Sequence, residues 1–376
     1  MTAADRPTPE AQPAPRRFFW RRLLQYRLRT LLILTAIIAA ALAWWSHTAR
    51  RQREAVAALR QAKANVIYDF QDAWGGGAAG PPYWPAWLVE IVGVDYFSHV
   101  DAVELCQTHQ GIIYSSSWPP DSDPAQPEVS RKVRPKPLRN LSEADLQLVK
   151  TLTSLHSLEL HDTDASDDML RKLGSLPALE NLDLENTGIT DSGLEDFWGL
   201  ARVKRLDVSG TSVSDAGLAH SKRLAALVGL DLGRTSVSDA GLVHLKNLTA
   251  LRSLGLCETR VTDAGLAHLR GLTVLSSLQL SQTQVTDAGL IHLRDLTALR
   301  DLKLFDTKIT DAGLVNLEGL TGLSRLDLSH TQISDAGLIH LKELTALLQL
   351  NLRKTKVTAA GVARLRPSLP YCSIDH

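Results

Sequence analysis

The chain has 376 residues, 44% of them hydrophobic and 22% charged, which is enough apolar material for a sizeable core. Its 41 basic and 41 acidic side chains cancel, but residues 1–60 hold 11 Arg against 3 acids, leaving +8 there and −8 in the rest. The acidic body excludes a nucleic-acid face, and three cysteines, an odd number, supply no disulfide framework.

Residues 1–15 are rich in Pro and Ala and predict disorder within a basic N-terminal tail, 1–29. Residues 30–49 carry no formal charge and lie between Arg29 and Arg50. At a rise of about 1.5 Å per residue they span roughly 30 Å, one bilayer core. Trp44 and Trp45 sit at one end of the run, where interfacial aromatics belong. Arg16, Arg17, Arg21, Arg22, Arg27 and Arg29 precede it, and fewer basic residues follow closely (Arg50, Arg51, Arg53). This bias predicts a single-pass membrane helix with its N-terminus in the cytoplasm and the body outside, and membrane-lipid contact through residues 16–53. A cleaved signal peptide ending at Ala41-Leu42-Ala43 is the alternative, and it too exports the body.

Residues 50–137 read as a juxtamembrane helix, a capping segment and a Pro-rich linker. Residues 66–70 predict a strand, and Val100, Val103 and Leu105 predict a capping strand followed by an insertion. From residue 138 onward a 24-residue period takes over. Leu155, Leu179, Val203, Leu227, Leu251, Leu275, Leu299, Leu323 and Leu347 open nine units of the form L-x-x-L-x-L-x-x-T-x-[VI]-[ST]-D-A-G-L. The L-x-L step has period two and predicts a short strand with one buried face. Ser or Thr followed by Asp predicts helix capping. Leu266, Leu269 and Leu272, and their counterparts in other units, predict an apolar stripe on a short helix. One unit cannot bury these leucines alone, so the units must stack. Residues 371–376 predict a closing edge strand.

This pattern resembles the leucine-rich repeat family, and within it the 24-residue T-D-A-G-L type. With the preceding membrane segment it is similar to single-pass leucine-rich-repeat proteins of planctomycete bacteria. The resemblance implies an α/β solenoid, curved, with parallel strands on the concave face and short helices on the convex face. The family usually has Asn where this chain has Thr163, Thr187, Thr211, Thr235, Thr259, Thr283, Thr307, Thr331 and Thr355. A hydroxyl at that position predicts a similar inter-turn ladder with fewer bonds.

The Asp column (Asp167, Asp191, Asp215, Asp239, Asp263, Asp287, Asp311, Asp335) reads as capping, since one carboxylate per turn does not make a calcium site. His220, His244, His268, His292 and His340 also recur with the repeat and define no separate ligand set. No phosphate loop, H-E-x-x-H, C-x-x-C pair or G-x-S-x-G is present. No enzyme, metal or cofactor is therefore expected.

The candidate site is the concave sheet. Between the leucines of L-x-L stand Glu159, Asp183, Asp207 and Asp231, then Gly255, Gln279, Lys303 and Asp327. Phe305 is the one aromatic expected on that face. Four like charges about 4.8 Å apart repel unless paired, with Arg205 and Arg234 as relief. The reading is a binding protein for an unknown protein or surface polymer, basic in character. A passive envelope structural element and an F-box-like or effector adaptor are the alternatives. Ser221 stands in the column of Leu245, Leu269, Leu293, Leu317 and Leu341 and predicts an underpacked point.

Overall fold

The computed structural model describes residues 35–37, 39, 47, 50–51, 54–58, 65–68 and 100–104. It also describes 143–376, apart from 153, 174–175, 198–201, 220 and 222–223. The chain forms two compact units, Met1–Glu54 and Ala55–His376. In the first, the described residues are helical, and most of the expected membrane span, 30–49, lies outside them. Among the described residues no helix is long and apolar enough to cross a membrane.

The second unit is one sheet of twelve strands in chain order. β1 (Asn65–Tyr68) pairs antiparallel with β2 (Val100–Glu104), which pairs parallel with β3 (Ser157–Glu159). β4 (Asn181–Asp183), β5 (Arg205–Asp207), β6 (Gly229–Asp231), β7 (Ser253–Gly255) and β8 (Ser277–Gln279) continue the parallel order. β9 (Asp301–Lys303), β10 (Arg325–Asp327), β11 (Gln349–Asn351) and β12 (Ser373–Asp375) complete it. Every L-x-L segment is thus a strand, and the strands before and after the repeats fall where the pattern put them.

The register places each leucine beside its copy one period on, as in Leu254↔Leu278. The leucine columns are closed to solvent: Leu254, Leu256, Leu266, Leu269, Leu272 and Leu275 are each 0% exposed. Truncating one of them, Leu254→Ala for example, removes about 2–5 kcal/mol.

The helical side shortens toward the middle of the chain and lengthens again at its end, where Ala359–Leu365 is a seven-residue α-helix. Glu143–Lys150, Asp167–Leu173 and Asp191–Phe197 are α-helices of 8, 7 and 7 residues. At Asp215–Leu218, Asp239–Leu242, Asp263–Leu266 and Asp287–Leu290 the D-A-G-L segment makes one four-residue α-turn, and in the next two units it gives way to the 3-10 helices Leu314–Leu317 and Gly337–Leu341. Ser214, Ser238, Thr262 and Thr286 are the N-caps, each hydroxyl accepting the N–H of the Ala two residues on, at 3.3 Å.

Two expectations are corrected here. The Asp column does not cap its own helix. Each carboxylate reaches into the following unit, where it accepts both the backbone N–H and the hydroxyl of the next cap residue. Asp263 takes Thr286 N at 2.7 Å and Thr286 Oγ1 at 2.6 Å. The same two bonds run from Asp167 to Thr190 and on to the pair Asp335–Thr358. The glycine of D-A-G is the space for this bond. A Cβ on Gly289 would overlap the Asp263 carboxylate, and the same holds along the column. The second correction concerns the Thr column. Each Thr hydroxyl donates to the carbonyl three residues back in its own turn, at 2.5–2.7 Å, and none of these bonds links two units. The inter-unit ladder is made by Asp, not Thr.

The residue before each Thr lies in the left-handed region. Only Gly210 (φ 68) is a glycine, and the others, from Asp162 to Lys354, hold φ values of 52 to 57. Ser221 is 0% exposed and donates a long bond of 3.3 Å to the His244 carbonyl, so its hydroxyl is partnered.

Candidate binding face

In a strand, neighbouring side chains point to opposite faces. The central leucines of β3–β11 point into the core, so the residues flanking each leucine face outward. The register Glu159↔Asp183↔Asp207↔Asp231 lines four acids in one row across β3–β6. The row is then interrupted by Gly255, Gln279 and Lys303 on β7, β8 and β9. Asp327, on β10, is therefore separated from the four acids by three strands. Phe305 stands in the turn after β9, where it packs edge-on against His330 with ring centroids 4.8 Å apart at 72°. The structure brings together four of the six predicted residues and leaves Phe305 and Asp327 as a separate group.

The acids bend back on their own loops. Asp183 Oδ1 accepts Glu185 N–H at 2.9 Å, Asp207 Oδ1 accepts Ser209 N–H at 2.8 Å and Ser209 Oγ at 2.6 Å, and Asp231 Oδ1 accepts Gly233 N–H at 2.8 Å. His161 Nδ1 stands 3.4 Å from Asp183. The two arginines expected to relieve the row do so only at its edge. Arg234 pairs with Glu185, and Arg205 donates to Asn181 at 3.5 Å.

Like charges and burial leave their mark on ionisation. Burial, then Asp231 and Asp183, push Asp207 well above its ordinary value. Burial also raises Asp231, against the Gly233 N–H bond that favours its charged form. Glu185 is raised by burial and by Asp183, in spite of Arg234. The Cys257 thiol, two residues beyond Gly255, is pushed up to about 11 by burial and by Asp231.

Glu185 is a member of this cluster that the strand pattern did not single out, because it sits in the turn after the strand. Asp301, 4% exposed and bonded by Arg325 Nε at 3.0 Å, belongs to the same face and is paired with that arginine. Ser253 and Ser277 were also unmarked, and their hydroxyls are buried without a hydrogen-bond partner. Among the described residues no group of three or more His, Cys, Asp or Glu has the arrangement to hold a metal. What the face offers is a row of hydrogen-bond acceptors with excess negative charge.

A stack of 24-residue strand–turn units with one open sheet face defines a repeat solenoid. The family model described as "Leucine-rich repeat region" matches residues 133–374, and the chain belongs to that family. Two internalins of Listeria monocytogenes are among the solved structures to which this chain is similar. Internalin F is 23% identical with a TM-score of 0.49, covering 61% of this chain and 70% of that one. Internalin C2 is 21% identical with a TM-score of 0.39, covering 62% of this chain and 87% of that one. A chain of the mouse RP105/MD-1 complex is 21% identical with a TM-score of 0.47, and the match covers 58% of this chain and 38% of that chain. No curated protein matches in sequence.

Proposed function

We propose that this is a membrane-anchored leucine-rich-repeat binding protein of the 24-residue T-D-A-G-L type, whose exported solenoid docks a basic protein or surface polymer on its acidic row. The observation that carries this reading is the in-register row of Glu159, Asp183, Asp207 and Asp231. Burial and the neighbouring carboxylates hold Asp207 and Asp231 in a costly state that a cation relieves. The family's association with protein–protein contact supports it, as does the net −8 of the body. The uncharged run of residues 30–49 between arginines supports the anchor.

A partner captured by proximity labelling in the native cell should bind the full chain less tightly as salt rises. The Asp183→Asn, Asp207→Asn, Asp231→Asn triple change should weaken it further. Affinity indifferent to both would leave the acidic row as repeated surface. For topology, a reporter active only in the cytoplasm, fused after His376, should be silent.

A further inference from the structure

The middle of the sheet face is unlike its ends. On β6, β7 and β8 the outward positions are Gly229 and Asp231, Ser253 and Gly255, Ser277 and Gln279. Ser253 and Ser277 are register partners. Both hydroxyls are closed to water and neither has a hydrogen-bond partner, and Ser253 as a residue is only 8% exposed. Turning one hydroxyl onto the other would satisfy one donor and leave the second unmet. A buried hydroxyl without a partner is a standing desolvation cost that most proteins avoid.

The same floor is walled by Asp231. Its carboxylate lies across Gly255, where a Cβ would overlap all three carboxylate atoms. One of its oxygens takes the Gly233 N–H, and the other has no hydrogen bond among the described residues. Lys303, on β9, stands at the far side and makes no ion pair among the described residues, though its charge reaches Asp231.

We propose that this floor is the anchor subsite of the sheet face, taking a single primary ammonium group, a lysine side chain of the basic partner, between Asp231 Oδ2 and the hydroxyls of Ser253 and Ser277. Three acceptors match the three N–H donors of an ammonium. Both hydroxyls are closed to water in the free protein, so entry of the ammonium requires neighbouring side chains to move; Arg205, an exposed side chain, rests its stem over Gly229, the register partner of Ser253. The inference rests on the reading that the acidic face takes a basic partner, and it adds where the partner is gripped.

The test is fluorescence anisotropy with labelled hexalysine on the full chain in neutral detergent, over a range of salt. Three proteins are compared: the natural chain, Ser253→Ala/Ser277→Ala, and Asp183→Asn/Asp207→Asn. The alanine pair removes unsatisfied hydroxyls, so its melting temperature should hold or rise. It should weaken hexalysine binding by roughly ten-fold, the worth of hydrogen bonds to a charged group, with the salt dependence unchanged. The Asn pair should both weaken binding and flatten the salt dependence. Binding untouched by the alanine pair but weakened by the Asn pair overturns the anchor and leaves the broader reading standing. No saturable binding by the natural chain overturns both.

Discussion

Two sets of aspartates stand in register in this solenoid, one in every unit from Asp167 to Asp335 and one on β4, β5 and β6, and they meet opposite fates. On the helical side, each Asp from Asp167 to Asp335 receives an N–H and a hydroxyl from the next unit. On the sheet side, Asp183, Asp207 and Asp231 each accept a backbone N–H from two residues on in their own turn, and they face one another across the strands. Ionisation follows: the Thr358 N–H and hydroxyl hold Asp335 below its ordinary value, while burial and its acidic neighbours hold Asp207 well above. The residue type is the same and so is the period. The difference lies in what the following unit presents, a pair of donors or another carboxylate. The helical column is structural cement, and the sheet column carries charge that the next unit does not satisfy.

Breaking the cement should give the largest effect. Asp263→Ala strips Thr286 of both its bonds to the preceding unit's carboxylate, and two hydrogen bonds to a charged group are worth about 3 kcal/mol. Urea unfolding of the full chain should show that loss in its midpoint. Next comes Gly289→Ala, whose new Cβ would collide with the Asp263 carboxylate. Displacing it should cost about 2 kcal/mol, and combining this change with Asp263→Ala should cost clearly less than the sum, because both act on one contact. If the two losses simply add, the glycine serves something other than the ladder.

Smaller effects sharpen the picture elsewhere. Ser221→Leu adds an apolar side chain where its column otherwise holds leucine, at the expense of a 3.3 Å bond to His244 O. A gain of about 1 kcal/mol in thermal unfolding is expected; a loss would show the neighbours have closed the gap. Glu258→Gly removes a side chain from a residue held at φ 55. Relief of left-handed strain less the glycine entropy should leave a gain of about 0.5 kcal/mol.

The strands were legible because the period-two leucines and the 24-residue spacing leave one register that buries every leucine. The end strands Val100–Glu104 and Ser373–Asp375 were legible for the same reason. The Asp–Ser/Thr ladder was not, since Thr-Asp at a helix start is an ordinary local cap and its partner lies 23 residues away. Nor was the local role of the Thr column, because Thr offers one donor and the carbonyl in its own turn is nearer than any in the next. At the site, the acid row could be read from the column, but Glu185 and the unpartnered Ser253 and Ser277 could not. Turn geometry and burial select them, and neither leaves a mark on residue type.

The central claim is that the sheet-side carboxylates, unlike those of the ladder, are ionised at a cost in the free protein. The most direct measurement is the melting temperature of the full chain against pH, compared with Asp207→Asn/Asp231→Asn. A carboxyl whose folded value is raised above its ordinary 3.8 contributes stability that is fully present below that value and lost as pH rises through the folded one. The variant should therefore melt higher than the natural chain at about pH 7.5, and the gap should close as pH falls toward about 4.5. A gap that stays constant, or one that opens on acidification, would contradict the account.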